Sequence, residues 1–322
     1  MYLRAVVRLF LGNRAGVILL LPFIIAGYLF LNNHFNYYVP EINTNLGFWG
    51  ESANLYPLIS TIGAAIIIFI NAFTINWIYN SNQFLERNSY LSSFLYVLLM
   101  SFYHSFYSMD GLLFAHTFLI LMLFHFFKLN QHSDGKRSVF NGMFFGGIAA
   151  TFHPPLIGLF PFLCIMYWVV RPFVLREFII AIIGFGIPSL YAVVFLWYYG
   201  HAIDLKLLDQ LTDYTNKQTD FLVTAVLFSL LFILSIVSIR SRMSNSSIRL
   251  KKLTTTLWWF LFVALILGCV DFIFFRQIER FSFLMLPLSI FLTFSFTNKT
   301  YSFVATLLFY ITFGYSIVKF FF

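Results

Sequence analysis

Four charged residues, Asp271, Arg276, Glu279 and Arg280, stand close together just before the apolar run from Phe281 to Thr297. Charge at the edge of such a run is costly unless it is hydrated, paired or used. An arginine there can clamp a phosphate, because its planar guanidinium fork matches phosphate oxygens and stays charged at any working pH. Arg280 and Arg276 are the substrate-binding candidates, and a solvated turn with local Arg–acid pairs is the structural alternative. Glu41 and Glu51, in the polar stretch after the first apolar run, are the catalytic candidates. Either carboxylate can act as a general base or ligate a divalent cation. Asp110 follows the turn Tyr107-Ser108-Met109 and reads as a helix N-cap or as a substrate-binding group. His153 precedes Pro154 and Pro155; it can shuttle a proton, bind phosphate, or satisfy carbonyls that the prolines free. His116 and His125 lie about two and a half helical turns apart, on opposite faces, so no histidine metal site is predicted.

The elements that must position these groups are membrane spans. Of 322 residues, 60% are hydrophobic and 10% charged, against about 25% charged in an ordinary soluble domain. Apolar runs of about 20 residues, each long enough to cross a ~30 Å hydrocarbon layer, recur along the chain. They are apolar on every face, as in Phe178 to Tyr199, which predicts helices rather than barrel strands. Eleven runs are expected to span, at about 15–31, 57–79, 90–106, 111–127, 140–153, 155–170, 178–199, 219–239, 254–270, 281–297 and 300–319. Positions 140–170 read either as two full spans or as a pair broken at His153-Pro154-Pro155.

Charge orients the array. A cytoplasmic N-terminus places the loop carrying Arg240, Arg242, Arg249, Lys251 and Lys252 inside, with most of the other basic residues, as the positive-inside rule requires. Most acidic residues then fall outside, which locates any acid–base or metal chemistry there. Residues 1–14 are expected to form a basic surface helix, and residues 32–56 and 200–218 the two long outside loops, the second an interfacial helix. Arg4, Arg8 and Arg14 before an apolar run resemble a secretory signal, but Asn32-Asn33-His34-Phe35 is not a cleavage site, so the segment is expected to remain as the first span. Gly142, Gly146 and Gly147 form a small-residue face that permits close helix approach. Cys164 and Cys269 are expected to be packing residues. The net charge of +8 is scattered over short connections, which argues against a nucleic-acid partner. No phosphate-cradling loop, dinucleotide fingerprint or nucleophile elbow occurs.

Three stretches carry a family resemblance: the polar loop after the first span; Phe140 to Leu156, with its Gly146-Gly147-Ile148-Ala149-Ala150 and His153-Pro154-Pro155, followed by an apolar stretch and Arg171; and Glu279-Arg280 leading to Pro287. Their order resembles the GT-C superfamily of membrane glycosyltransferases that use polyprenyl-phosphate-linked sugars. The resemblance implies that Arg280 contacts donor phosphate. It also implies a carboxylate soon after the first span, where the family carries Asp and this chain offers Glu41 and Glu51. The expected fold is an all-α polytopic membrane protein of about eleven transmembrane helices, GT-C-like, as one transmembrane domain over 1–322 with its N-terminus cytoplasmic. The expected activity is transfer of a sugar or glycan from a polyprenyl-phosphate carrier to an acceptor outside the cytoplasm of a bacterial inner (plasma) membrane. A divalent cation on Glu41 or Glu51 is the only cofactor this reading admits, and its partners are membrane lipids and the lipid-linked donor. The alternatives are a non-enzymatic subunit of an envelope assembly or secretion complex and, more weakly supported, a transporter.

Overall fold

The computed structural model describes residues 5–38, 44–49, 51–52, 56–129, 135–199, 218–244, 246–275, 278–297 and 302–321. Within them the chain forms twelve α-helices: α1 Ala5–Leu11, α2 Leu21–Phe35, α3 Pro57–Ser81, α4 Leu91–Met100, α5 Gly111–Lys128, α6 Lys136–Phe152, α7 Phe160–Val170, α8 Leu175–Tyr198, α9 Gln218–Ser244, α10 Ile248–Phe275, α11 Met285–Ser295 and α12 Ser302–Val318. Short 3-10 turns lead into α2, α7 and α11. A two-residue antiparallel pair, β1 Thr44–Asn45 and β2 Glu51–Ser52, closes part of the loop after α2.

Six segments are long and apolar enough to cross a membrane: Gly16–Phe35, Pro57–Ser81, Gly111–Lys128, Leu175–Tyr198, Leu222–Ser244 and Ile248–Val270. The protein is therefore a multi-pass helical membrane protein. The expectation of eleven transmembrane helices is corrected to six by this measure. The other five apolar runs hold helices that are shorter or interrupted by 3-10 turns. Two of them owe their apolarity to protein neighbours. All ten residues of α4 and all eleven of α11 are buried, and the two helices pack on each other between α3 and α9. A helix apolar on all sides suits either lipid or the centre of a bundle, so hydropathy does not separate the two.

The basic segment at the start differs from a simple surface helix. In α1, Val7 and Phe10 are buried while Leu9 is exposed. The Phe10 ring stacks on Phe94 at 4.5 Å, and its carbonyl accepts the Tyr90 N–H at 2.7 Å, which docks α1 on the entry to α4.

The glycine face of α6 acts as expected, within the chain. A Cβ on Gly142 would lie 2.6 Å from the Phe126 ring of α5, and one on Gly147 would lie 2.4 Å from the Phe185 carbonyl oxygen of α8. The missing side chains let α5 and α8 close on α6 from opposite sides. Interior polar groups add cross-links. Ser92 donates to Asn76 at 3.0 Å, joining α4 to α3. Asn71, Tyr96, His116 and Ser282 form a chain of contacts at 3.4, 3.5 and 3.1 Å from α3 through α4 and α5 to the turn before α11. Inside a bilayer such bonds matter because apolar contact alone does not favour helix over lipid.

The bundle has two unlike ends. At the basic end, Arg242 meets Glu86 at 2.9 Å, Arg249 donates to Asn82 at 3.0 Å, Lys252 donates to the Val170 carbonyl at 3.1 Å, and Arg171 meets Glu177 at 3.1 Å. The opposite, carboxylate end gathers the loop after α2, the turn after α4, the start of α5, His153, the turn before α11 and the segment after α12.

Candidate functional site

The turn Glu279–Leu284 is a 3-10 helix in which Glu279, Arg280, Ser282 and Phe283 are all buried. Its anchorage explains the burial. His116 holds the Ser282 hydroxyl and stacks on Phe283, with ring centroids 4.9 Å apart. On the other flank, Gly268 of α10 leaves room for Phe281, whose ring would lie 2.5 Å from a Cβ there.

Two carboxylates meet this turn. Glu279, 4% exposed, accepts the His104 backbone N–H on both oxygens, at 3.3 and 3.2 Å. Asp110 caps α5: one oxygen accepts the Leu113 N–H at 2.7 Å and the other the Ser105 hydroxyl at 2.6 Å. Both carboxylates therefore depend on residues 104–105, a turn held internally by a 2.9 Å bond between Ser108 and His104 Nδ1. Burial pushes the Glu279 carboxyl up to about 8; the His104 N–H opposes this, the Asp110 carboxylate adds to it, and the Lys319 charge opposes it. Asp110 is likewise raised by removal from water, against the bonds from Ser105 and Leu113. Neighbouring carboxylates cannot both ionise cheaply, so this pair is suited to holding a proton near neutral pH.

Arg280, 5% exposed, brings the second charge to the turn. His153, at the C-terminus of α6, is 6% exposed, lies with its ring 5.7 Å from Phe283, and feels the Arg280 charge. Its Nε2 has no hydrogen-bond partner among the described residues. A buried imidazole nitrogen beside a guanidinium offers acceptor oxygens a second contact. The first loop closes over this neighbourhood. Gly47 takes φ +68, and a Cβ on it would lie 2.5 Å from the Thr151 and Phe152 carbonyl oxygens. Trp49 donates to Thr151 at 3.1 Å and packs on Phe152 and Phe195.

A groove of about 220 Å³ runs beside the turn, between α9, α10 and α11. Its walls include Phe228, Phe232, Leu261, Leu265, Phe281 and Leu288, and Tyr103 stands among them next to His104. The lining is almost wholly apolar, of the kind that accepts hydrocarbon.

Of the residues singled out in the sequence, Arg280, His153 and Asp110 come together at one end. The expected N-cap role of Asp110 is observed, with both of its oxygens engaged. Glu51 lies in β2, paired with Asn45. Glu41 and Arg276 fall outside the described residues, as does the segment expected to form an interfacial helix at 200–218 except for Gln218, which opens α9. Among the described residues no three His, Cys, Asp or Glu side chains converge on a metal position. Glu279 belonged to the charged cluster in the sequence but not to the site residues expected from it. Lys319 had no sequence signal beyond a charge ending an apolar run, yet it reaches this end of the bundle and is 3% exposed.

The fold and site together define a multi-pass helical membrane protein with a buried ionic turn beside an apolar groove. No family model matches the chain, and no curated protein or solved structure does either.

Proposed function

We propose that this protein is a membrane glycosyltransferase of the GT-C kind that takes a sugar or glycan from a polyprenyl-phosphate carrier on the non-cytoplasmic side of a bacterial inner membrane. The observation that supports it best is the apolar groove abutting the turn that carries Arg280 and Glu279. A lipid-linked donor has this same division, a hydrocarbon tail joined to an anionic head. The tail lies along Phe228, Phe232 and Leu288, and Phe281 leads from the groove to Arg280.

In this reaction the acceptor hydroxyl attacks the anomeric carbon and the bond to phosphate oxygen breaks. A carboxylate takes the hydroxyl proton, and the polyprenyl phosphate leaves with the bonding electron pair. Arg280, supported by His153, offsets the charge gathering on the leaving phosphate, where preorganised cations lower a barrier most. The base is Glu41 or Glu51 of the loop that Gly47 and Trp49 fasten over this end. The basic end faces the cytoplasm, as the positive-inside rule favours.

The test is transfer from a polyprenyl-linked sugar in membrane vesicles, with Arg280→Ala and a Glu41→Ala/Glu51→Ala double variant at parental abundance. Loss of transfer, with lipid-linked glycan accumulating in a deletion strain, supports the reading. Full transfer by both variants would leave the chain as a non-enzymatic subunit of an envelope complex.

A further inference from the structure

Lys319 follows α12 and is buried among aromatic rings. Its ammonium lies 4.7 Å from the centroid of Phe102, 4.9 Å from Phe320, 5.3 Å from Tyr38 and 5.6 Å from both Tyr37 and Tyr107. It also donates to the Ser101 carbonyl. Rings at this distance present their negative faces to a cation, and several around one ammonium hold it in place.

The cage is itself braced. Asn32 bonds both the N–H and the carbonyl of Tyr38, at 2.8 and 2.9 Å, and the Tyr38 hydroxyl donates to the Phe102 carbonyl at 2.7 Å. Tyr38 stacks on Tyr107 with centroids 4.9 Å apart, and the Tyr107 hydroxyl donates to the Ser101 carbonyl at 2.8 Å. Three distant parts of the chain thus converge on one charge: the start of the first loop, the turn from Ser101 to Tyr107, and the segment after α12. That turn presents the His104 N–H to Glu279 and the Ser105 hydroxyl to Asp110.

We propose that Lys319 is a positioning residue for the carboxylate pair: its caged ammonium fixes the Ser101–Tyr107 turn that holds Glu279 and Asp110, and supplies a positive charge opposing theirs. A lysine whose only role was to fill space among aromatics would leave the protonation of Glu279 unchanged. The groups acting on Glu279 among the described residues come from neighbouring elements: the His104 and Ser105 N–H groups after α4, Asp110 before α5, and Lys319 after α12; Tyr103 in turn feels the Glu279 charge, and Arg280 is next in sequence on the same turn. Lys319 is the positive one contributed by another element. This inference holds whether or not the protein transfers sugars.

The experiment is an infrared pH titration of the full-length protein in lipid nanodiscs, following the carboxylic acid C=O stretch that disappears in Glu279→Gln. Lys319→Met should raise the midpoint of that band, making Glu279 bind its proton about tenfold or more tightly, the size expected on losing a nearby opposite charge. Lys319→Arg should return it to the parental midpoint. An unchanged midpoint in Lys319→Met overturns the proposal. If Lys319→Met fails to accumulate, recovery of the Glu279→Gln/Lys319→Met double variant supports it, because the opposed charges are then both gone. Failure of both proteins alike overturns it.

Discussion

Each end of the bundle buries a glutamate, and the two are satisfied in different ways. At the basic end Glu177 meets the Arg171 guanidinium at 3.1 Å and accepts the Tyr167 hydroxyl at 2.5 Å. At the other end Glu279 rests on the His104 backbone N–H, with a second carboxylate nearby. A glutamate held by a partly exposed arginine and a phenol is tied down as an ion pair, and its role is to fasten α7 to α8. One held by backbone N–H groups beside another acid keeps a proton within reach of neutral pH. The ion pairs gather at the basic end, and the carboxyl raised by burial sits where the apolar groove begins.

The sharpest way to break this comparison is to remove one arginine from each end. Arg280→Ala should lower sugar transfer by about a hundredfold or more, the usual cost of losing a preorganised charge at a developing anion. Arg171→Ala should leave transfer per folded molecule unchanged but strand Glu177, costing about 3 kcal/mol of stability in detergent unfolding. Adding Glu177→Gln should recover most of that loss. Stability should also follow pH through Glu279. Folded Glu279 releases its proton near 8, whereas the ordinary value is 4.5. Between those values the folded state holds a proton that the unfolded state has lost, so stability falls as pH rises and levels off above about 8. Thermal unfolding from pH 5 to pH 9 should show this slope, and Glu279→Gln should flatten it. Smallest of all, Arg242→Ala should cost under about 1 kcal/mol in the same unfolding assay, because its partner Glu86 is 83% exposed and water screens the pair.

Much of the fold was legible in the sequence. The six long spans follow directly from apolar run length, and the glycines of α6 announced the close packing against α5 and α8. The surplus in the expected span count came from runs such as 90–106 and 281–297, whose hydropathy equals that of a lipid-facing helix although α4 and α11 face only protein. Within the site, Arg280, His153 and Asp110 stood out because charge and proline beside apolar runs are conspicuous. Lys319 did not. A lysine ending an apolar run looks like one reaching for water, and only the convergence of Tyr37, Tyr38, Phe102, Tyr107 and Phe320 around it says otherwise. Contacts between residues more than two hundred positions apart leave no local periodicity to read.

The buried α4 has a consequence for biogenesis. Its ten residues rise only about 15 Å, too little to cross a bilayer unaided, and its interior neighbour α11 begins at Met285. A ribosome adding 5–20 residues each second reaches that helix roughly 10–40 s after completing α4. Throughout that interval Ser92, Ser93 and the end peptide groups of α4 need shelter from acyl chains, which the early helices touching it, α1, α2, α3 and α5, can give. Membrane insertion of this protein is therefore a delayed closure: the early helices keep a berth for one made last, and truncation before Met285 should expose α4 to membrane quality-control proteases.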